Sequence, residues 1–142
     1  MNTHLLDRRG FAAALAGVAA IPLLADATRA AAAAGARNIV LVHGLFADGS
    51  CWLDVIERLQ RQGLNATSVQ NPLTTLDESV AAVERVLSRQ DGPTVLIGHS
   101  FGGMIVTQAG LHPNVSALVY VAARAPDANE DYAALARGYP TP

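Results

Sequence analysis

Two stretches of this chain, Ile39-Val40-Leu41-Val42 and Ala117-Leu118-Val119-Tyr120-Val121-Ala122, run on without a charged residue, an amide or a glycine. A strand with one wet face alternates apolar and polar residues. A strand that does not alternate is covered on both faces, the habit of a parallel sheet held between helices. The intervening sequence supplies such helices. Trp52, Val55, Ile56 and Leu59 fall on one helical face, and Gly63 sits where a C-cap belongs. Leu64 to Val69 reads as a second strand, broken by Asn71-Pro72. Thr75-Leu76-Asp77-Glu78 has the spacing of a capping box, and Leu76, Val80, Val83 and Leu87 continue it as an apolar stripe. Asp91-Gly92-Pro93 ends that helix. Thr94 to Ile97 is the third strand, Phe101 to Leu111 the next helix, and His112-Pro113 its stop. Strand and helix alternating in this way predict an α/β fold: one parallel sheet of about four strands with flanking helices.

Residues 1–36 have a different character. Asp7-Arg8-Arg9-Gly10-Phe11 precedes a weakly hydrophobic run, Ala12 to Leu24, and then an alanine tract containing Arg29. A positive start, an apolar middle and a small-residue cleavage zone are the three parts of an export signal. The paired arginines point to the twin-arginine type, cleaved near residues 30–34. The plainer reading is an alanine-rich helix or a membrane anchor. The run is shorter than the roughly 20 residues a spanning helix needs, and Pro22 interrupts it. The expectation is an exported chain, periplasmic or secreted, with no stable membrane span once the signal is removed.

Composition excludes several functions. A net charge of -2, scattered arginines and 5% aromatic residues leave no basic stripe or stacking platform for nucleic acid. Cys51 is the single cysteine, so no intrachain disulfide and no paired-cysteine metal or redox site can form. The four histidines show no metal-ligand spacing. No metal and no cofactor are expected.

The chemistry lies in Gly98-His99-Ser100-Phe101-Gly102, with Gly103 following. The motif fits Gly-x-Ser-x-Gly and stands directly between an apolar strand and a helix, the context of a nucleophile elbow. In such a turn the serine is held in a strained backbone conformation. Its neighbours must be small so that strand and helix can close around it, and Gly98 and Gly102 provide that room. The plainer reading, a glycine turn with a serine cap, does not account for the strand on one side and the helix on the other.

A second element, His43-Gly44-Leu45-Phe46, follows the first strand. In this arrangement its loop faces the serine across the top of the sheet. One oxyanion donor is then the N–H of Leu45, with Phe46 in reserve, and the other the N–H of Phe101. The plainer reading of His43-Gly44 is punctuation at a strand end. His43 reads as a structural histidine bonded within its loop. His99 is locked in the elbow, with its side chain expected to point away from the serine oxygen.

The run from Val40 to Trp52, the Gly98 to Gly103 motif and Ala117 to Ala123 together resemble the α/β-hydrolase superfamily. The branch they look most like holds small esterases, hydroxynitrile lyases and plant methyl esterases. The resemblance covers roughly residues 38–142. It implies a serine hydrolase of small-molecule esters, with Ser100 as nucleophile. It also implies that an acid and a histidine follow the serine in chain order.

Those partners are not evident. His112 is the sole histidine after Ser100, and the helix from the elbow carries it roughly 15 Å away. Asp127 follows the fourth strand, where some members of the superfamily place their acid. As a weak candidate it competes with the plainer reading of a polar loop residue or helix cap, which is favoured because no histidine is there to be oriented. The tail through Tyr132, Tyr139 and Pro140 resembles the start of a cap region. Residues 37–142 therefore read as the N-terminal portion of an α/β-hydrolase domain, cut short. Ala117 to Ala122 becomes an exposed apolar edge, a route to self-association or poor stability.

The primary functional expectation is an esterase-like hydrolase of small, apolar carboxylic esters, inactive or very weak alone if the triad partners are missing. The alternatives are a non-catalytic ligand-binding remnant and a non-functional fragment. A lyase needs the same missing histidine. A dinucleotide-binding domain is disfavoured because no Gly-x-Gly-x-x-Gly follows the first strand.

Overall fold

The computed structural model describes residues 35–127 and 130–138. The export-signal reading falls on residues outside this range, apart from its last two. Four strands, β1 (Asn38–Val42), β2 (Asn65–Val69), β3 (Thr94–His99) and β4 (Val115–Val121), form one parallel sheet in the order β2-β1-β3-β4. Among the described residues four α-helices accompany it: α1 (Leu53–Arg61), α2 (Leu76–Leu87), α3 (Gly102–Ala109) and α4 (Tyr132–Arg137). A 3-10 turn, Gly49–Trp52, leads into α1.

The continuous run of β1 is explained by its central place: all five residues are buried. Ile39 and Leu41 face one side with Trp52 and Leu59, against which Val55 and Ile56 of α1 pack. Val40 and Val42 face the other, with Val83 and Leu87 of α2 and Ile105 and Val106 of α3. Each such buried aliphatic side chain contributes about 1.5–3 kcal/mol, so the two central strands anchor both layers.

Local signals behave as their chemistry requires. Thr75 Oγ1 accepts from the Glu78 N–H at 3.1 Å and caps α2. The Glu78 carboxylate does not return to the cap's backbone. It accepts instead from the hydroxyls of Thr74 and Thr75. Gly63 takes φ +78 after α1, as expected of a left-handed C-cap.

Boundaries shift in several places, and β2 starts at Asn65 rather than Leu64. Trp52 belongs to the 3-10 turn rather than to α1. β3 continues through Gly98 to His99 because both pair with β4. α3 covers Gly102–Ala109, shorter than the apolar run that predicted it. β4 begins at Val115, and its register against β3 slips at Thr94/Val95, leaving Ser116 as the extra residue with its hydroxyl on the Thr94 carbonyl at 3.2 Å. A bulge of this kind adds a residue that alternation rules do not foresee. The edge is therefore not wholly apolar. Its residues alternate between half-buried and exposed, with Leu118 and Tyr120 partly in solvent.

Candidate active site

The C-terminal ends of β1 and β3 lie side by side, Val42 pairing with Gly98. What leaves these two ends forms the site. β3 runs into Ser100, whose φ is +53. Side-chain-bearing residues seldom adopt this left-handed region, and they persist there only when their surroundings hold them. The surroundings are specific. A Cβ on Gly98 would lie 2.7 Å from the Gly102 carbonyl oxygen and 2.8 Å from Val106 Cγ2. A Cβ on Gly102 would lie 2.7 Å from the Val42 carbonyl oxygen. Strand, turn and helix thus close on one another with no room for a methyl group at either position.

Three further bonds fix the serine's backbone. Its carbonyl accepts from the N–H of Gly103 at 3.1 Å and of Arg124 at 3.0 Å. Its own N–H donates to the Val121 carbonyl at 3.4 Å. The segment after β4 therefore crosses the start of α3. It passes so close that a Cβ on Gly103 would sit 1.9 Å from the Arg124 carbonyl oxygen. Sequence reasoning placed Gly103 at the elbow but had no signal for what presses on it.

The loop after β1 meets the serine directly. A Cβ on Gly44 would be 3.0 Å from Ser100 Cβ and 3.4 Å from its Oγ. Beyond Gly44, Leu45 is 39% exposed and Phe46 is fully exposed. Among the described residues, the N–H groups of Leu45, Phe46 and Phe101 donate to no protein acceptor.

His43 is buried, and its Nδ1 lies 2.9 Å from the Gly44 carbonyl oxygen, a bond within the loop. A carbonyl only accepts, so Nδ1 is the donor in this bond, and Nε2 is the ring's other nitrogen. That Nε2 is buried without a partner in the structure, as is the Trp52 indole N–H. The His99 ring sits edge-on to Trp52, centroids 6.3 Å apart and planes at 88°. His112 lies beyond the far end of α3. Its Nδ1 accepts from the Asn114 N–H at 3.2 Å, and its Nε2 meets Ser88 Oγ at 3.3 Å. It serves the loop at the opposite end of the helix. Asp127 is exposed, and its backbone closes a turn with Glu130: the Asp127 N–H donates to the Glu130 carboxylate at 2.9 Å, and the Glu130 N–H to the Asp127 carbonyl at 3.0 Å.

Nearby, Asp48 caps the 3-10 turn by accepting from the Ser50 N–H at 2.8 Å. Hydrogen bonds from the Ser50 side chain and backbone hold its carboxyl below the ordinary aspartate value. Partial burial pushes the Cys51 thiol up. Among the described residues no group of three His, Cys, Asp or Glu is arranged to hold a metal ion, and no helix is long and apolar enough to cross a membrane.

A parallel sheet with a left-handed serine between its central strand and the following helix, faced by a glycine loop from the neighbouring strand, defines a class. The model of the alpha/beta hydrolase family matches residues 39–142, more than half of the chain. The chain belongs to that family. It is 27% identical over 112 residues to the carbendazim hydrolyzing esterase of Nocardioides sp., covering 69% of this chain and 46% of that protein. It is 32% identical over 95 residues to lipase LipV of Mycobacterium tuberculosis, covering 60% of this chain and 36% of that one. The crystal structure of a pyrethroid hydrolase from Sphingobium faniae superposes with a TM-score of 0.54 at 26% identity, over 61% of this chain and 39% of that chain. The chain thus spans less than half the length of these relatives.

Proposed function

We propose that this chain carries the nucleophile and oxyanion loop of a hydrolase acting on small, apolar carboxylic esters. The observation that carries the reading is Ser100 at φ +53, with Gly44 closing on its side chain. Ser100 Oγ attacks the ester carbonyl carbon, its proton passes to a base, and the carbonyl oxygen takes up the negative charge. The N–H groups of Leu45 and Phe101 receive that oxyanion, with Phe46 as the alternative donor. The alcohol leaves with a proton, and water then releases the acid from the acyl-serine. Leu45, Phe46 and Phe101 around the serine favour an apolar acyl or alcohol group.

A hydroxyl needs a base at neutral pH. Among the described residues none is hydrogen-bonded to Ser100 Oγ, and His112 is engaged with Ser88 and Asn114. That observation favours a second reading, ligand binding without turnover. Fluorophosphonate labelling separates the two. Labelling of the folded chain that disappears in Ser100→Ala supports an activated serine. A chain that shows near-UV circular dichroism but takes no label supports the binding reading.

We also read residues 1–36 as a twin-arginine export signal that places the mature chain in the periplasm or outside the cell. Arg8-Arg9, the weak apolar run and the alanine tract support this. A reporter fused behind residues 1–36 should leave the cytoplasm, and replacing both arginines by lysine should retain it.

A further inference from the structure

Ser100 is not the only residue with a left-handed backbone at this end of the sheet. Ala122, the first residue past β4, has φ +43. It lies between the two residues that grip the serine's backbone: Val121, whose carbonyl accepts from the Ser100 N–H, and Arg124, whose N–H donates to the Ser100 carbonyl. The side chain of Ala122 is exposed, so packing does not explain why an alanine stands in a conformation that suits glycine.

We propose that Ala122 is a positioning residue for Ser100: its left-handed turn bends the chain from β4 across the first turn of α3 and holds the two bonds that keep Ser100 left-handed. The geometry supports a bend at this residue. Val121 still pairs with His99 in the sheet, whereas Ala123 and Arg124 already lie over Gly103, where an added Cβ would fall 2.8 Å from Ala123 Cβ and 1.9 Å from the Arg124 carbonyl oxygen. The chain must turn within one residue. Glycine would make this turn at lower conformational cost but would also visit many others. Alanine has a single narrow left-handed well, so once the turn is made it is stiff. Strain at Ala122 is thus the cost of rigidity at Ser100, whose oxygen must stay aligned with the free N–H groups of Leu45 and Phe101.

The chemical consequence rests on Ser100 being the nucleophile; the positioning itself does not. The test therefore uses two readouts on the full chain and its variants. Ala122→Gly should melt no lower than the parent, because strain is relieved. Its Ser100 and Arg124 amides should nevertheless exchange hydrogen about tenfold faster, and fluorophosphonate labelling should slow by a similar factor. Ala122→Asn, a residue that tolerates the left-handed region, should restore both rates. Parental exchange rates in a folded Ala122→Gly overturn the proposal. Should that variant fail to fold, Ala122→Val and Ala122→Asn decide. Valine is the costliest residue at this φ and should melt lower and exchange faster than asparagine; equal behaviour of the two overturns the proposal. A parent that never labels, with faster exchange in Ala122→Gly, supports the positioning and rejects the nucleophile reading instead.

Discussion

Gly44 and Ser100 face each other so closely that one methyl group on the glycine would come within 3.0 Å of the serine Cβ. The contact joins the loop after β1 to the turn after β3, so it reports on the site rather than on the core. Gly44→Ala should slow labelling of Ser100 by about tenfold or more while costing about 1–3 kcal/mol of stability, the usual range for overpacking. Labelling at the parental rate in a folded Gly44→Ala chain would show that the loop does not border the nucleophile.

Gly103 presents the opposite balance. A Cβ there would meet backbone, the Arg124 carbonyl oxygen at 1.9 Å, and backbone cannot rotate away as a side chain can. Gly103→Ala should therefore lose about 3 kcal/mol or more. Urea unfolding measures this, and a change in midpoint too small to resolve would mean that the segment after β4 does not lie across α3.

Thr75 caps α2 through its side-chain hydroxyl. Thr75→Ala should cost about 1 kcal/mol with labelling unaffected. A loss of labelling at constant fold would contradict the separation of helix cap and site.

The Asp48 cap carries a pH signature. Its carboxyl is held below the ordinary aspartate value by the bonds from Ser50. A lowered folded value means that the stabilisation is present above the unfolded value and is lost as pH falls through the folded one. The difference in Tm between the parent and Asp48→Ala should thus be constant near neutrality and shrink as pH drops below about 4. A gap that widens toward acid would reverse the assigned sign.

β4 ends the sheet among the described residues, with Leu118 and Tyr120 partly exposed. Edges of this kind pair with other chains. The expected behaviour is concentration-dependent self-association in sedimentation velocity, reduced by Tyr120→Lys. A chain that stays monomeric at micromolar concentration and melts cooperatively would contradict this.

The parts legible in the sequence are those where one physical demand dominates. β1 and β3 announced themselves because burial on both faces tolerates only apolar side chains. The elbow was readable because three glycines had to flank a serine at one strand end. The loop bond of His43 was also anticipated. The start of β4 was not, since Ser116 bulges out of register and hides a strand residue in what reads as a turn. Nor was the chain crossing at Gly103. A glycine records that space is needed without recording what fills it, and Ala122 in a left-handed turn has no compositional mark at all.

The strand order has a consequence for where the site stands. From β1 the chain turns to the face that carries the 3-10 turn and α1, and from β3 it turns to the face that carries α3. Two neighbouring loops that depart in opposite directions leave a cleft between them, a general property of sheets whose strand order reverses. Gly44 and Ser100 meet where these two loops part. The opening is a by-product of how the chain is wound, so residue changes can line or narrow it, but removing it would take a different winding.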